Sequence, residues 1–393
     1  MKKAILILIG FFVFLQAAAV ELLAMPAFAR KYQMTCKTCH SPFPKLKAYG
    51  EEFAGNGFVI KDKDAPRYYV DTGDDFLSLL RDIPIALRLE GFITYNNAAA
   101  GQFDFTSPYV LKLLSGGEIT KNISYYFYFF FSERGEVAGI EDAFLIFNNL
   151  FRSDLDLYIG QFQVSDPLFK RELRLTFEDY QVYRATPGES GINLTYDRGV
   201  MVTYGFPTGT DVTLEVLNGS GIGEANIFRN FDNDKYKNLL FRVSQDLGGH
   251  LRLGGFGYLG KEKKEAGANS LWMAGADATV TAKPFELNLQ YVERRDDNPF
   301  FAVSSLVPQE RIKTRGGFAE LIYLPKGDDS KWYLAGLLNF VDSDLGDLDY
   351  SSATLHCGRM LRRNIRATAE LTFVFDSRYK DHARLALGLV TGF

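Results

Sequence analysis

The sequence is poor in the residues that most metal and redox sites use, with 3 cysteines and 4 histidines among 393 residues. No second cysteine pair is present to complete a four-ligand zinc site. The net charge of −4 provides no basic surface for nucleic acid. No nucleophile triad, phosphate loop or dinucleotide fingerprint stands in a convincing context. These absences leave few places in the chain where chemistry can be located.

Long apolar runs are missing everywhere except at the N-terminus. Two lysines precede the apolar run 4–20, and small residues offer cleavage sites between 19 and 29. A membrane anchor is the competing interpretation, but the run is short for a spanning helix, and no other stretch approaches about 20 apolar residues. We therefore predict a signal peptide at 1–24, with its cleavage site open between 19 and 29, and an exported protein.

Two of the three cysteines and one histidine are concentrated in the run CKTCH at residues 36–40. This spacing is typical of c-type haem attachment, in which Cys36 and Cys39 form thioether bonds to the haem vinyl groups and His40 is the proximal iron ligand. The second ring nitrogen of His40 is expected to donate to a backbone carbonyl within 41–44. A thioredoxin-like redox disulfide would need a βαβ context, which a motif just after a leader lacks. We predict one covalent haem c.

The ligand on the opposite face of the iron is not obvious, because residues 41–83 contain no methionine or histidine. Three distal candidates remain. Met34 is close to the motif, Met25 has more reach if cleavage retains it, and His356 alternates with apolar neighbours on a predicted strand and is expected to point into a lumen. A hydrogen-bonded histidine with no iron contact is the alternative for His356, and an open sixth position is the alternative for the site.

The remainder of the chain alternates apolar and polar residues with a period of two, which predicts β-strands. In the segment 365–376, for example, Leu371 and Phe373 share one face while Arg366 and Glu370 share the other. We count about 16 such segments of roughly 9 to 12 residues, the length of a strand that crosses a bilayer. They lie near 84–96, 107–116, 122–133, 138–148, 154–163, 198–206, 210–218, 237–246, 250–260, 269–281, 284–294, 313–324, 331–341, 350–360, 363–375 and 382–393.

The connections between these segments favour a transmembrane barrel over a soluble sandwich. Tight turns follow the even strands, and the long gaps 164–197, 219–236 and 295–312 follow odd ones, as expected when short turns occupy one end of a barrel. The terminal Phe393 ends an amphipathic strand and resembles the C-terminal signal of outer-membrane proteins. The predicted fold class is all-β: a transmembrane antiparallel barrel of about 16 strands, with a small, partly helical haem segment that plugs or caps its lumen.

The segment 25–58, MPAFARKYQMTCKTCHSPFPKLKAYGEEFAGNGF, resembles the N-terminal signature of fused outer-membrane cytochrome porins. This family joins a monohaem cytochrome to a barrel, and its best-known members oxidise extracellular iron(II). The resemblance implies a haem module at 25–65 and an outer-membrane barrel at 84–393. The Asp- and Lys-rich composition and the prolines between them predict a connection at 66–83, with a short helix possible near 74–80. The resemblance also implies a conduit in the bacterial outer membrane that passes electrons from iron(II) or a similar donor to a periplasmic cytochrome.

Several alternatives stay open. The conduit could run outward to extracellular acceptors, or the protein could be a diffusion porin with a haem-bearing plug. A haem peroxidase would need acid and base groups above an open iron position, and the sequence shows no such pair near the motif. The connection 164–197 either folds into the lumen or forms an exposed loop, and acidic residues in the outer connections either attract iron(II) or keep those loops soluble.

Overall fold

The computed structural model of the chain describes residues 27–60, 69–74, 77–80, 83–98, 101–264, 267–303, 310–362, 364–376 and 381–393. The predicted signal peptide and the distal candidate Met25 lie outside these residues. Among the described residues, no helix is long and apolar enough to cross a membrane.

Residues 27–60, which we call the N-terminal module, form two short helices and a tight turn. Helix α1 spans Ala27–Tyr32, a 3-10 turn spans Cys36–Thr38, and helix α2 spans Ala48–Gly55. Aromatic rings hold the helices together: Phe28 stacks on Phe58 at 4.9 Å between ring centroids and meets Phe53 edge-on at 5.5 Å. The module is too small for a conventional hydrophobic core, so these ring contacts are its main internal packing.

A two-stranded antiparallel sheet follows the module, with β1 at Tyr69–Asp71 and β2 at Ser78–Leu80. The predicted short helix near 74–80 is therefore wrong at its C-terminal end. Residues 78–80 can satisfy backbone groups by pairing with β1, whereas a helix of about seven residues leaves most of its N–H and C=O groups without intrahelical partners.

Sixteen strands form the rest of the described fold: β3 Ile85–Asn96, β4 Gln102–Thr120, β5 Ile123–Glu133, β6 Gly139–Phe147, β7 Leu155–Gln163, β8 Tyr196–Gly205, β9 Thr210–Leu217, β10 Asn238–Leu247, β11 Leu251–Lys264, β12 Gly267–Ala282, β13 Phe285–Asp296, β14 Ile312–Tyr323, β15 Trp332–Ser343, β16 Tyr350–Arg362, β17 Ile365–Asp376 and β18 His382–Gly392. Each begins and ends within five residues of its predicted position.

These strands form a closed barrel in which each strand pairs antiparallel with its neighbours in the chain, and β18 pairs with β3. Closure is completed at the chain end, where Leu87 and Phe393 exchange backbone hydrogen bonds of 2.6 and 2.9 Å. A closed barrel leaves no unpaired strand edge, which is the condition for a sheet to exist in a lipid bilayer.

The barrel strands place their apolar face outward and their polar face inward. On β17, Leu371 and Phe373 are 37% and 46% exposed on the outside, whereas Arg366 and Glu370 are each 3% exposed inside. This arrangement is the inverse of a soluble barrel, whose outside is polar. It is the arrangement that a hydrocarbon environment selects, and it confirms the prediction of a transmembrane barrel.

The two ends of the barrel differ in the length of their connections. One end, which we call the short-turn end, carries turns such as 121–122, 248–250 and 283–284, and the opposite end carries 164–195 and 218–237. Gly248 and Gly249 have φ values of +64° and +72°, a conformation that glycine adopts without strain. We call residues 164–195, between β7 and β8, the lumen loop.

Candidate functional site

The 3-10 turn at Cys36–Thr38 brings the three predicted haem ligands onto one short arc of backbone. The amide of His40 donates to the carbonyl of Cys36 at 2.9 Å, and the amide of Cys39 donates to the same carbonyl at 3.3 Å. Both cysteines are free and half-buried. Burial raises the pKa of both thiols, although Lys47 partly opposes this effect at Cys39, so both are protonated near neutral pH.

The ring of His40 is held in the orientation that an iron ligand needs. Its Nδ1 lies 2.7 Å from the carbonyl oxygen of Pro44, within the stretch expected from the sequence. A bond donated from Nδ1 leaves Nε2 as the ring's acceptor nitrogen. Burial lowers the pKa of His40 to about 4 against the opposing effect of its backbone hydrogen bonds, so the imidazole is neutral near pH 7. The donor set and its geometry therefore fit a c-type haem.

Gly50 allows helix α2 to pack directly on this arc. A Cβ at this position would collide with the carbonyl oxygen of Cys39 and would lie 2.9 Å from the side chain of Leu46. The amide of Lys47, just before the helix, donates to the same Cys39 carbonyl at 2.9 Å. The close approach thus fixes the second cysteine against the helix, and only glycine permits it.

The N-terminal module docks across the short-turn end of the barrel through polar contacts. Lys45 forms an ion pair of 2.7 Å with Glu286 at the start of β13, and Lys37 forms one of 3.1 Å with Asp329 in the β14–β15 connection. On the other side of the opening, Asn148 donates to the carbonyl of Gly55 at 3.2 Å. These contacts span the opening, so the module plugs this mouth of the barrel, as the predicted fold class proposed.

The lumen loop folds into the barrel instead of projecting from it, which decides between the two predicted alternatives. Tyr183 and Leu194 are almost fully buried, and Tyr180 stacks on Phe318 of the opposite wall at 4.1 Å between ring centroids. Lys170 lies 3.7 Å from Glu51 of the N-terminal module. The loop therefore crosses the lumen and reaches towards the plug, leaving the barrel filled along much of its length.

Buried charges within the lumen loop pair with one another. Arg171 binds Asp179 through both Nε and Nη2, at 2.9 and 2.6 Å. Burial alone would raise the pKa of Asp179, but Arg174 and Arg171 hold it well below its usual range. At Glu172 burial also raises the pKa, but the nearby charges of Lys112 and Arg171 outweigh it and lower the pKa to about 2. Both carboxylates are therefore charged at any physiological pH and can stabilise the folded loop by pairing with its arginines.

His356 points into the lumen, as predicted, and both of its ring nitrogens already have partners. Nδ1 lies 2.9 Å from Glu370 Oε2, and Nε2 lies 3.2 Å from the hydroxyl of Tyr333. This geometry matches the alternative of a hydrogen-bonded lumen histidine. Met34 lies between α1 and the 3-10 turn, where its amide donates to the carbonyl of Ala29 at 3.1 Å. The distal ligand stays a prediction.

A chain of hydrogen bonds connects the haem-binding arc to the lumen loop. Arg366 Nη1 donates to the carbonyl of Phe43 and to the hydroxyl of Tyr333, each at 2.7 Å, and Tyr333 contacts His356. Beyond His356, Glu370 accepts the amides of Phe177 at 2.6 Å and Glu178 at 2.8 Å. Sequence reasoning identified Arg366 and Glu370 as inward residues but missed Tyr333, although its alternation with outward Trp332 and Leu334 carried the signal.

The described part of the chain contains no cluster of three or more histidine, cysteine, aspartate or glutamate residues that could hold a metal ion. The acidic residues of the outer connections instead make local contacts. Asp297 pairs with Arg311 at 3.3 Å, and Asp342 pairs with Arg315 at 2.6 Å. Asp342 and Arg315 lie within β15 and β14, and the choice between iron(II) attraction and loop solubility stays a prediction.

Comparison with known proteins identifies the barrel. An anion-selective porin from Comamonas acidovorans aligns with a TM-score of 0.60 at 12% identity, over 79% of this chain and 99% of the porin. The outer-membrane channel DcaP of Acinetobacter baumannii aligns with a TM-score of 0.58 at 14% identity, over 79% of this chain and 97% of that protein. No protein-family model and no curated relative matches the sequence. The chain has the fold of an outer-membrane porin and resides in the bacterial outer membrane.

Proposed function

We propose that this protein is an outer-membrane electron conduit that carries one covalent c-type haem. The observation that carries the proposal is the arc of Cys36, Cys39 and His40, with free thiols and an anchored imidazole, docked across the short-turn end of the barrel. In bacterial outer-membrane barrels the short turns face the periplasm, so the arc lies where a periplasmic cytochrome can reach it. The N-terminal resemblance to fused cytochrome porins supports the same proposal.

The barrel supplies what a redox centre in this position needs. A hydrocarbon band about 25 Å tall insulates the two aqueous compartments, and a closed barrel crosses it without unpaired backbone groups. The haem would supply one-electron exchange at its iron. The protein holds His40 through the Pro44 carbonyl, and its lumen loop reaches the plug through the contact between Lys170 and Glu51. The proposed donor is extracellular iron(II) or a similar reductant, and the proposed acceptor is a periplasmic cytochrome.

The first experiment tests haem attachment. Outer-membrane fractions of the wild type are expected to show a haem-staining band at the mass of this chain and a low-spin c-type spectrum. The double variant Cys36→Ala/Cys39→Ala should lose covalent haem, whereas Cys357→Ala removes the third cysteine and should retain it. Folding of each variant is checked by heat-modifiable gel migration. A wild-type band without haem, in cells that mature other c-type cytochromes, would refute the proposal.

The second experiment tests the donor. Oxidised, purified protein mixed with iron(II) is expected to develop the spectrum of the reduced haem, and a reduced periplasmic-type cytochrome should form when it is then added as acceptor. Haem that is reduced by dithionite but not by iron(II) would overturn the donor assignment alone. Reduction by the cytochrome followed by oxidation with an extracellular acceptor would favour the outward direction of electron flow.

A second candidate function is a diffusion porin whose haem segment is a structural plug. The similarity of the barrel to outer-membrane channels favours it, and this similarity belongs to both candidates alike. Planar-bilayer conductance separates them. A stable open pore, equally conducting in the wild type and in Cys36→Ala/Cys39→Ala, supports the porin. Negligible conductance of the intact protein supports the conduit, since the plug and the lumen loop then seal the barrel.

A further inference from the structure

A cavity inside the barrel, between the lumen loop and a wall formed by β3 to β5 and β16 to β18, is lined by more cationic than acidic side chains. Five lining residues carry a positive charge: Arg88, Lys112, Arg134, Arg174 and Arg366. Three lining residues, Glu90, Glu133 and Glu172, are acidic. Lining cations therefore outnumber lining carboxylates by two.

Each acidic residue of the cavity already has a cationic partner within it. Glu90 pairs with Arg88, Glu133 lies 3.5 Å from Arg134, and Glu172 lies 3.5 Å from Lys112 and 3.9 Å from Arg174. Arg366 differs from these cations. Among the residues that the structure describes, no carboxylate oxygen lies within 4.0 Å of its guanidinium.

Arg366 is also deeply buried, with 3% of its surface exposed. Its partners are neutral: the Phe43 carbonyl, the Tyr333 hydroxyl and the face of the Tyr333 ring, 6.0 Å from the guanidinium carbon. Its Nε has no hydrogen-bond acceptor among the described residues, and the same holds for Nε of Arg88. A buried charge without a counter-charge is costly, so a guanidinium kept in this setting points to an anion that joins it.

We propose that Arg366 and Arg88 form a binding site for a carboxylate anion in this cavity. The strand register relates the two arginines across β18: Arg366 pairs with Val390, and Val390 pairs with Glu90, two residues from Arg88 on the same face of β3. Guanidinium groups bind a carboxylate in its own plane through two parallel hydrogen bonds, and each arginine has an Nε–H available for such a bond. Both arginines line the same cavity, and a carboxylate bound there can accept from these Nε–H groups.

The site is adjacent to the haem-binding arc, and this position suggests one source of the carboxylate. Arg366 holds the carbonyl of Phe43, three residues after His40. If the proposed function is correct, a propionate of the attached haem is the carboxylate bound here. A small carboxylate entering the lumen from solution shares the same chemistry, and the experiment separates the two sources.

The first arm uses the haem-free variant Cys36→Ala/Cys39→Ala in detergent, titrated with acetate against chloride at constant ionic strength. Acetate is expected to raise the thermal unfolding midpoint, because a ligand that binds the folded state stabilises it. Adding Arg366→Gln should weaken the apparent acetate affinity by about tenfold or more, the value of a charge-assisted pair. Adding Arg366→Lys should recover part of that affinity.

The second arm uses the haem-containing protein. If a propionate occupies the site, acetate should leave the unfolding midpoint unchanged, and Arg366→Gln should shift the haem midpoint potential to a more negative value. The shift is expected because an uncompensated propionate charge favours the oxidised iron. Arg366→Lys retains the charge and should restore most of the potential.

The matched control is Arg242→Gln, since Arg242 is another buried lumen arginine, 4% exposed, but it has a carboxylate partner in Asp277 at 2.6 Å. It should alter neither the acetate affinity nor the potential. The proposal is overturned if folded Arg366→Gln matches the wild type in both arms, or if it lowers stability equally in acetate and chloride without moving the potential. Absence of haem from the wild type refutes the proposed function but leaves the first arm as a test of the site.

Discussion

Loss of the charge on Asp179 should release the lumen loop from the barrel interior. Asp179 is 4% exposed and accepts both Nε and Nη2 of Arg171, which is itself 5% exposed. In Asp179→Asn the amide oxygen can still accept one bond, but buried Arg171 loses its closest counter-charge and keeps only Glu172, at 3.4 Å. Breaking a buried ion pair in this way costs about 3–5 kcal/mol. We expect the lower end, about 3 kcal/mol, because one hydrogen bond is retained.

Hydrogen exchange measures this cost locally. If the loop opens as a unit, about 3 kcal/mol corresponds to a loss of roughly 100-fold in amide protection, since each 1.4 kcal/mol is about tenfold. Mass spectrometry of peptides from the lumen loop, in detergent at neutral pH, should show faster exchange there and unchanged exchange in the barrel strands. Conductance of the variant in planar bilayers should rise as the loop leaves the lumen.

The matched control makes the same chemical change at an exposed pair. Asp342 binds Arg315 at 2.6 Å, but the two side chains are 55% and 54% exposed, so their ion pair is worth only about 0–1 kcal/mol. Asp342→Asn should change amide protection by less than about fivefold. Wild-type protection of the lumen loop in folded Asp179→Asn would refute the argument that buried charge pairing holds the loop inside.

Three further predictions concern the same packing. The pKa values of Asp179 and Glu172 lie below the ordinary carboxyl range. Their stabilisation is therefore complete above about pH 5 and is lost as the pH falls towards about 2. Pepsin should cleave the lumen loop only in that acidic window, and equal cleavage at pH 5 would contradict this. Gly57→Ala should weaken docking of the N-terminal module on the barrel by about 1–3 kcal/mol, because Gly57 has φ +67° and an added Cβ would collide with the barrel. In the control Gly55→Ala the added Cβ meets nothing within 4 Å, so the protease resistance of the module should stay unchanged. Glu370→Ala removes the acceptor of two lumen-loop amides and should lower the free energy of opening the loop tip by about 2–4 kcal/mol. Amide hydrogen exchange at the tip should then be faster. Unchanged exchange there would show that other contacts hold the tip.

Much of the barrel could be predicted because a bilayer imposes a simple rule on each strand. Lipid surrounds the outside of the barrel, so every second residue of a strand is apolar whatever the neighbouring strand contains. In β17 this pattern alone indicates that Leu371 points outward and Arg366 points inward. The alternation of short and long connections is also local to the sequence. The predicted helix near 74–80, which is wrong at its C-terminal end, lies outside the barrel strands, so this rule does not apply to it.

The arc at Cys36–His40 was identified because its chemistry resides in five consecutive residues. The contact between His40 and Pro44 was foreseen for the same reason, since Pro44 is only four positions after His40 in the chain. By contrast, the bond from Arg366 to the Phe43 carbonyl joins residues 323 apart, and the partners of His356 come from two other strands. No spacing in the sequence relates such residues.

The sequence by itself determined the strands, their inward and outward faces, the asymmetry of the two ends and the position of the predicted haem ligands. Each follows from short-range alternation or spacing, which lipid and local geometry impose directly. Only the tertiary structure decided that the lumen loop lies inside the barrel, that the N-terminal module covers the short-turn end, and that Arg366 remains without a carboxylate partner among the described residues. These outcomes depend on which charges meet across a closed lumen, and closure brings together residues from distant parts of the chain.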